Sequence, residues 1–227
     1  MSTTLQLQAA DGHLFDAYRA DAAIPVKGEI VVLQEAFGVN VHIRAVCDDY
    51  AGRGYNAIAP ALYDRQRRNA AFGYDKAAME QARALRSRLN YAEALLDVDA
   101  AVAALRPGGK VGVVGYCVGG SVAWLAACRL RIDAASCYYP SDIGQQLDEH
   151  PRCPVIMHFA ERDHIIDMPT VHRFSTEHPD VRAFLYPADH GFNCWDRERS
   201  YDAASAQLAL QRTLALFERH FFPNGGA

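Results

Sequence analysis

The chain has no marked excess of charge of either sign. Its 227 residues carry 23 Lys and Arg against 27 Asp and Glu, a formal net charge of −4, so no basic field draws it to nucleic acid. Cysteine is sparse. Six residues at positions 47, 117, 128, 137, 153 and 194 are too few and too scattered for a small disulfide scaffold, which predicts free thiols packed as small hydrophobes. The N-terminus Met-Ser-Thr-Thr-Leu-Gln-Leu-Gln has neither a basic start nor a long apolar run, and so predicts a cytoplasmic protein without a secretory signal. No Pro- or Ser-rich linker, internal repeat or low-complexity tract divides the chain, which predicts one domain over 1–227. Val111 to Cys128 is an 18-residue run without a charge, but four glycines fall inside it. A membrane helix is therefore not expected there, and the run divides into a buried strand and a buried helix.

What is present is apolar and periodic. Half of the residues are hydrophobic, enough for a large core. The start, L-Q-L-Q-A-A, then Asp11-Gly12, then H-L-F-D-A-Y-R-A, alternates around a tight-turn dipeptide and predicts an antiparallel hairpin. From residue 29 onward, short apolar runs alternate with helical segments: E-I-V-V-L-Q, Y-N-A-I-A, K-V-G-V-V, I-D-A-A-S-C-Y-Y, P-V-I-M-H-F and V-R-A-F-L-Y are the strands. Helices are expected at 40–53, twice within 75–105, at 118–130, near 166–177 and at about 201–221. Continuous apolar strands separated by helices predict a mostly parallel α/β sheet with helices on both faces. In the last helix Leu210, Leu214, Phe217 and Phe221 recur at helical spacing and predict the face laid on that sheet, with Pro223 and Gly225-Gly226 ending it.

The segment Gly115-Tyr116-Cys117-Val118-Gly119 stands where a strand ends and a helix begins. Reactive groups of an open parallel sheet gather in such loops. Glycines two before and two after the cysteine allow backbones to approach closely in a sharp turn that presents the central side chain. A helix N-terminus favours an anion there. The phosphate fingerprint G-x-G-x-x-G is absent, which argues against a nucleotide loop. A nucleophile in this turn needs an acid and a histidine later in the chain, in that order. Asp163 follows the strand P-V-I-M-H-F and His190 follows V-R-A-F-L-Y, so both fall in loops on the same sheet edge as Cys117. Asp167 and Asp189 compete with Asp163, although Asp189 is adjacent to His190 and badly placed to reach its far ring nitrogen. His164 reads as a rim residue and His158 as a core histidine. A metal site from His158, Cys153, His190 and Cys194 lacks the close paired spacing of zinc motifs.

Four motifs together, Q-E-A-F-G-V-N at 34–40, G-Y-C-V-G-G at 115–120, Asp163-His164 and A-D-H-G-F at 188–192, resemble the dienelactone hydrolase family over essentially the whole chain. The resemblance implies an α/β-hydrolase fold and a Cys117, His190, Asp163 triad that cleaves small-molecule esters or lactones through a thioester, chemistry that requires no cofactor or metal. It implies that Glu35 partners the resting thiol and helps deprotonate it; otherwise Glu35 would read as a cap for the helix beginning near Val41. It implies an oxyanion hole from the backbone N–H groups of Ala36 and Val118, and a pocket that includes Phe37, Tyr138 and Phe192. The two arginines with which family members hold a substrate carboxylate are absent, because Met79 and Cys194 occupy their places. Neither can form a bidentate clamp, which leaves Arg83 or Arg197 to compensate and dienelactone in question as the substrate. The run Arg65-Gln66-Arg67-Arg68 reads as a solvated loop. The chain is expected to act as a monomer or small homo-oligomer without membrane or nucleic-acid partners. The competing readings are a protein that keeps the hydrolase fold without turnover, and a redox sensor through Cys117.

Overall fold

In this computed structural model, residues 2–23 and 25–222 are described. The opening hairpin pairs β1 (Ser2–Gln8) with β2 (Leu14–Ala20), antiparallel, with Gln8 opposite Leu14. Gly12 takes the left-handed φ of 87° that the turn requires, and the Asp11 side chain accepts from the His13 amide. The remaining strands are β3 (Gly28–Leu33), β4 (Tyr55–Pro60), β5 (Val111–Tyr116), β6 (Ala134–Tyr138), β7 (Val155–Ala160) and β8 (Arg182–Tyr186). All eight form one sheet in the order β1-β2-β4-β3-β5-β6-β7-β8, parallel from β4 to β8 and antiparallel only where the hairpin joins it. Every residue of β3, β5, β6 and β7 is buried, as strands covered on both faces require.

Among the described residues, six α-helices cover the sheet: α1 (Val41–Gly52), α2 (Lys76–Arg86), α3 (Tyr91–Leu105), α4 (Val118–Arg129), α5 (Met168–Glu177) and α6 (Ala203–Phe221). Aromatic contacts join α1 and α6 on one face, through Tyr50, Tyr55 and Phe221. On the other face, α4 and α5 meet through Trp124 and Phe174. Five helices begin with an Asn or Asp side chain that accepts a first-turn amide: Asn40, Asp75, Asn90, Asp167 and Asp202. Such caps satisfy N–H groups that the helix itself cannot. The exception is α4, where Cys117 stands in the cap position and makes no side-chain cap bond.

The closing helix differs from its sequence reading in one respect. Phe217 and Phe221 are buried, but Leu210 and Leu214 are only partly so, and Ser205, Ala206, Ala209 and Thr213 complete the inward face. The face is rotated because its two ends demand different shapes. Phe217 and Phe221 fill the space above Gly112 and Gly28, where an added Cβ would lie 2.5 Å and 2.3 Å from their rings. Further along, Thr213 is needed for hydrogen bonds to Ser136 and Tyr138. The expected helix stop at Pro223 and Gly225-Gly226 lies outside the described residues.

Candidate active site

The turn between β5 and α4 is built by the absence of side chains. A Cβ on Gly115 would lie 1.9 Å from the Gly119 carbonyl oxygen, one on Gly119 would lie 2.4 Å from that of Gln34, and one on Gly120 would lie 2.6 Å from that of Tyr138. Strands β3, β5 and β6 and helix α4 therefore meet backbone to backbone. Cys117, at their junction, is held at φ 55° and ψ −119°, a region that L-residues occupy only when the surroundings enforce it. Its amide donates to Tyr138 O at 3.0 Å, and its carbonyl accepts from the Ser121 and Ser141 amides, each at 3.2 Å. The side chain stays partly exposed, unlike the buried Cys47, Cys128, Cys137 and Cys194. The Val118 amide opens α4, and neither it nor the Ala36 amide has an acceptor among the described residues. Two unspent donors thus flank the thiol.

His190 and Asp163 come together from the loops after β8 and β7. His190 Nδ1 lies 2.7 Å from Asp163 Oδ2, and both side chains are buried. Asp163 Oδ1 accepts from the amides of Ile165 and Ile166 at 2.8 and 3.0 Å, so the carboxylate is fixed at both oxygens. Burial raises the Asp163 pKa, but the His190 hydrogen bond and charge and the two amides outweigh it and hold it below the usual range. Burial lowers the His190 pKa; the neighbouring Cys117 sulfur and the Asp163 carboxylate outweigh that and push it up to about 10. The other ring nitrogen, Nε2, is buried and has no hydrogen-bond partner among the described residues. The competing acids have other work: Asp167 caps α5 and Asp189 pairs with Arg162. His164 stands at the rim, its ring 5.9 Å from that of His190.

Glu35 is buried but does not cap α1, a place taken by Asn40. Nor is it hydrogen-bonded to the thiol, as the resemblance implied. Its Oε1 accepts from the Tyr139 hydroxyl at 3.2 Å, and Oε2 has no partner among the described residues. Tyr139 is held at a left-handed φ of 35°, and its ring is 4.9 Å from that of His190. It stands where Tyr138 was expected. Tyr138, the last residue of β6, is fully buried and its hydroxyl is bonded to Thr213 of α6, whereas Tyr139 lies beyond the strand at its left-handed φ. Phe192 is likewise fully buried, packed on Tyr138, Tyr139 and Tyr186 behind the site. Cys194 donates to the Tyr74 hydroxyl at 3.1 Å and is closed off from the cleft. None of the three lines the cleft, so their pocket assignment is corrected to packing.

A cleft of two chambers opens over these residues. The inner one, about 330 Å³, is lined by Cys117, His190 and Ala36, with Phe37, Met79, Ile165, Arg83, Arg86 and Arg197 among its walls. The outer one, about 590 Å³, shares Phe37, Met79, His164, His190 and Arg197 but not the cysteine. Phe37, Met79 and Arg83, expected in a substrate pocket, are among the residues that line the inner chamber. Arg86 and Tyr139 were missed: their partners, Asp142 and Glu35, are remote in sequence, so no local pattern marks them. Among the described residues no three His, Cys, Asp or Glu side chains gather to hold a metal ion, and no helix is long and apolar enough to cross a membrane.

Comparison with known proteins agrees with this architecture. Residues 15–221 match the model of the dienelactone hydrolase family. A carboxymethylenebutenolidase of Pseudomonas putida is 33% identical over 222 residues, covering 92% of this chain and 93% of that protein. Carboxymethylenebutenolidase 1 of Cupriavidus pinatubonensis is 27% identical, with 95% and 96% covered. A solved Klebsiella pneumoniae chain described as a dienelactone hydrolase is 30% identical, with a TM-score of 0.78 over 96% of this chain and 98% of its own length. With residues 15–221 matched by the family model and nearly its whole length covered by these relatives, the chain belongs to the dienelactone hydrolase family.

Proposed function

We propose that this carboxylic ester or lactone hydrolase works through a thioester on Cys117. The observation that carries the reading is the unpartnered Nε2 of His190, buried while Nδ1 is bound to Asp163, on the cavity that Cys117 also lines. With a pKa of about 10, His190 is an imidazolium at neutral pH, the form able to protonate a leaving group. The Cys117 sulfur, as thiolate, attacks the substrate carbonyl carbon. The carbonyl oxygen takes up the negative charge and accepts from the free Ala36 and Val118 amides. Collapse breaks the bond to the alkoxide, which leaves with the proton of His190 Nε2. The neutral imidazole then removes a proton from water, whose hydroxide attacks the thioester; the thiolate departs, and thiolate and imidazolium are restored together.

Asp163 fixes the tautomer and orientation of the ring throughout. Glu35, whose Oε1 accepts from the Tyr139 hydroxyl, is a further buried carboxylate next in sequence to the Ala36 amide. The test is hydrolysis of p-nitrophenyl acetate by the wild type, by Cys117→Ala and by iodoacetamide-treated wild type. The first is expected to turn over and the other two to fall to background. Equal rates from all three would make Cys117 a packing residue.

A further inference from the structure

One short stretch on the wall of the outer chamber, Asp196-Arg197-Glu198-Arg199, alternates in sign and has no part in the proposed cycle. Together with Asp189 it gives that chamber charges of both signs. Of these five residues only Asp189 has an ion-pair partner among the described residues, Arg162 at 3.4 Å. The stretch is held by its own backbone. The Arg197 amide donates to Cys194 O at 3.0 Å, and the Ser200 and Tyr201 amides both donate to Arg197 O at 2.9 Å. The Arg197 guanidinium packs on Gly191, where an added Cβ would collide with Nη1, and lies over the Phe37 ring at 5.8 Å. Phe37 and Tyr74, edge to face at 4.7 Å, add an aromatic wall to the same chamber.

We infer that the outer chamber takes the alcohol half of the substrate, and that this alcohol is neutral and polyhydroxylated, its hydroxyls donating to Asp196 and Glu198 and accepting from Arg197 and Arg199. The inference rests on the proposed thioester cycle. The acyl half stays bonded to Cys117, which lines the inner chamber and not the outer, while the leaving oxygen takes its proton from His190, which lines both. Interspersed charges of both signs favour neither an anion nor a cation. An apolar alcohol would cover some of them without replacing their hydrogen bonds to water. A hydroxyl carries one donor and two acceptor lone pairs, so each one can serve a carboxylate and a guanidinium together. The aromatic wall meets the C–H face of such a molecule.

The experiment compares acetates that share the acyl group and differ in the alcohol: 6-O-acetylglucose against cyclohexylmethyl acetate, and glycerol 1-monoacetate against propyl acetate. Acetate release gives kcat/KM, and each value is divided by that ester's own hydroxide-catalysed rate, so that leaving-group reactivity cancels. In the wild type the hydroxylated member of at least one pair is expected to lead by roughly tenfold, the worth of one hydrogen bond to a charged group. The pair that leads tells a sugar from an open-chain polyol. The lead should change little with added salt, because neither ester carries a charge. In Asp196→Ala combined with Glu198→Ala, and in Arg199→Ala, the ratio is expected to fall toward one. All three side chains are exposed and outside any ion pair among the described residues, which guards against a folding defect. No lead in either pair overturns the assignment of the chamber, and a lead that both variants keep overturns these side chains as its basis. Cys117→Ala is assayed on the same esters. Turnover surviving there defeats the thioester reading, while the wild-type ratio still decides whether the chamber selects a polyol.

Discussion

Two buried histidines sit on neighbouring elements of this molecule and have opposite surroundings. His158, inside β7, is saturated: Nδ1 lies 2.7 Å from the Tyr186 hydroxyl, and Nε2 lies 3.2 Å from both Ser136 Oγ and Thr213 Oγ1. Burial, reinforced by Arg212, lowers its pKa to about 3. His190, in the loop after β8, has Nδ1 on a carboxylate and no hydrogen-bond partner for Nε2 among the described residues, and the neighbouring Cys117 sulfur and Asp163 carboxylate raise its pKa to about 10. Burial favours the neutral ring in both. A carboxylate and a sulfur reverse that preference at His190, whereas hydroxyls at His158 leave it in force. Between these two histidines the difference lies in the charged neighbours, the Cys117 sulfur and the Asp163 carboxylate, and not in burial.

The contrast can be broken at its most consequential point first. His190→Gln removes the only proton carrier in the proposed cycle, and kcat for p-nitrophenyl acetate should fall about 10³-fold or more, within the range for lost acid–base catalysis and triad disruption. Asp163→Asn leaves the ring in place with the wrong tautomer favoured, and a loss of about 10²- to 10⁴-fold is expected. Either variant retaining wild-type kcat would end the proposed roles.

His158→Gln should do the reverse. It leaves Tyr186, Ser136 and Thr213 hydroxyls short of partners in the core, and the expected cost is about 1–3 kcal/mol in urea unfolding, with kcat per folded molecule essentially unchanged. A kinetic defect without a stability defect would show that the two regions are not separable in this way.

Smaller, but more pointed, is the pH dependence of stability. His190 has a folded pKa above the ordinary histidine value of about 6.5, so its stabilising contribution is complete below that value and fades as pH rises toward about 10. His158 has a folded pKa below it, so its contribution is complete above about 6.5 and fades as pH falls toward about 3. Thermal melts should decline on both sides of a maximum near neutrality; His190→Gln is expected to flatten the alkaline side and His158→Gln the acid side. NMR titration sharpens this at one proton: in Cys117→Ala the His190 pKa should drop from about 10, because its largest raising influence is gone. A titration unchanged by that substitution would mean the sulfur does not govern the ring.

Much of the fold was legible, for reasons that are local. Short apolar runs rich in β-branched residues and bounded by turn signals fit strands covered on both faces, and the Asp11-Gly12 turn between alternating segments fits a hairpin. The glycines around Cys117 pointed to a place where backbones touch, and backbone oxygens lie where their side chains would be. Less legible was which of several plausible side chains faces the cleft. Tyr138 and Tyr139 are adjacent and chemically identical, yet one bonds Thr213 on α6 and the other reaches Glu35. On α6 the leucine spacing suggested a face that the fit against Gly28, Gly112 and Ser136 rotates. Arg83 and Arg197 could be named from the sequence, but Arg86 could not, since the Asp142 that anchors it lies 56 residues away.

The sequence by itself determined the elements and the order of the chemistry-bearing residues, because strand, helix and turn preferences act between near neighbours, and a sharp strand-to-helix turn needs glycines at fixed offsets. Only the tertiary structure decided which groups remain unsatisfied: the free nitrogen of His190 and the idle amides of Ala36 and Val118. Whether a polar group is used up depends on partners brought together across the whole chain. The spacing of residues along the sequence does not encode that.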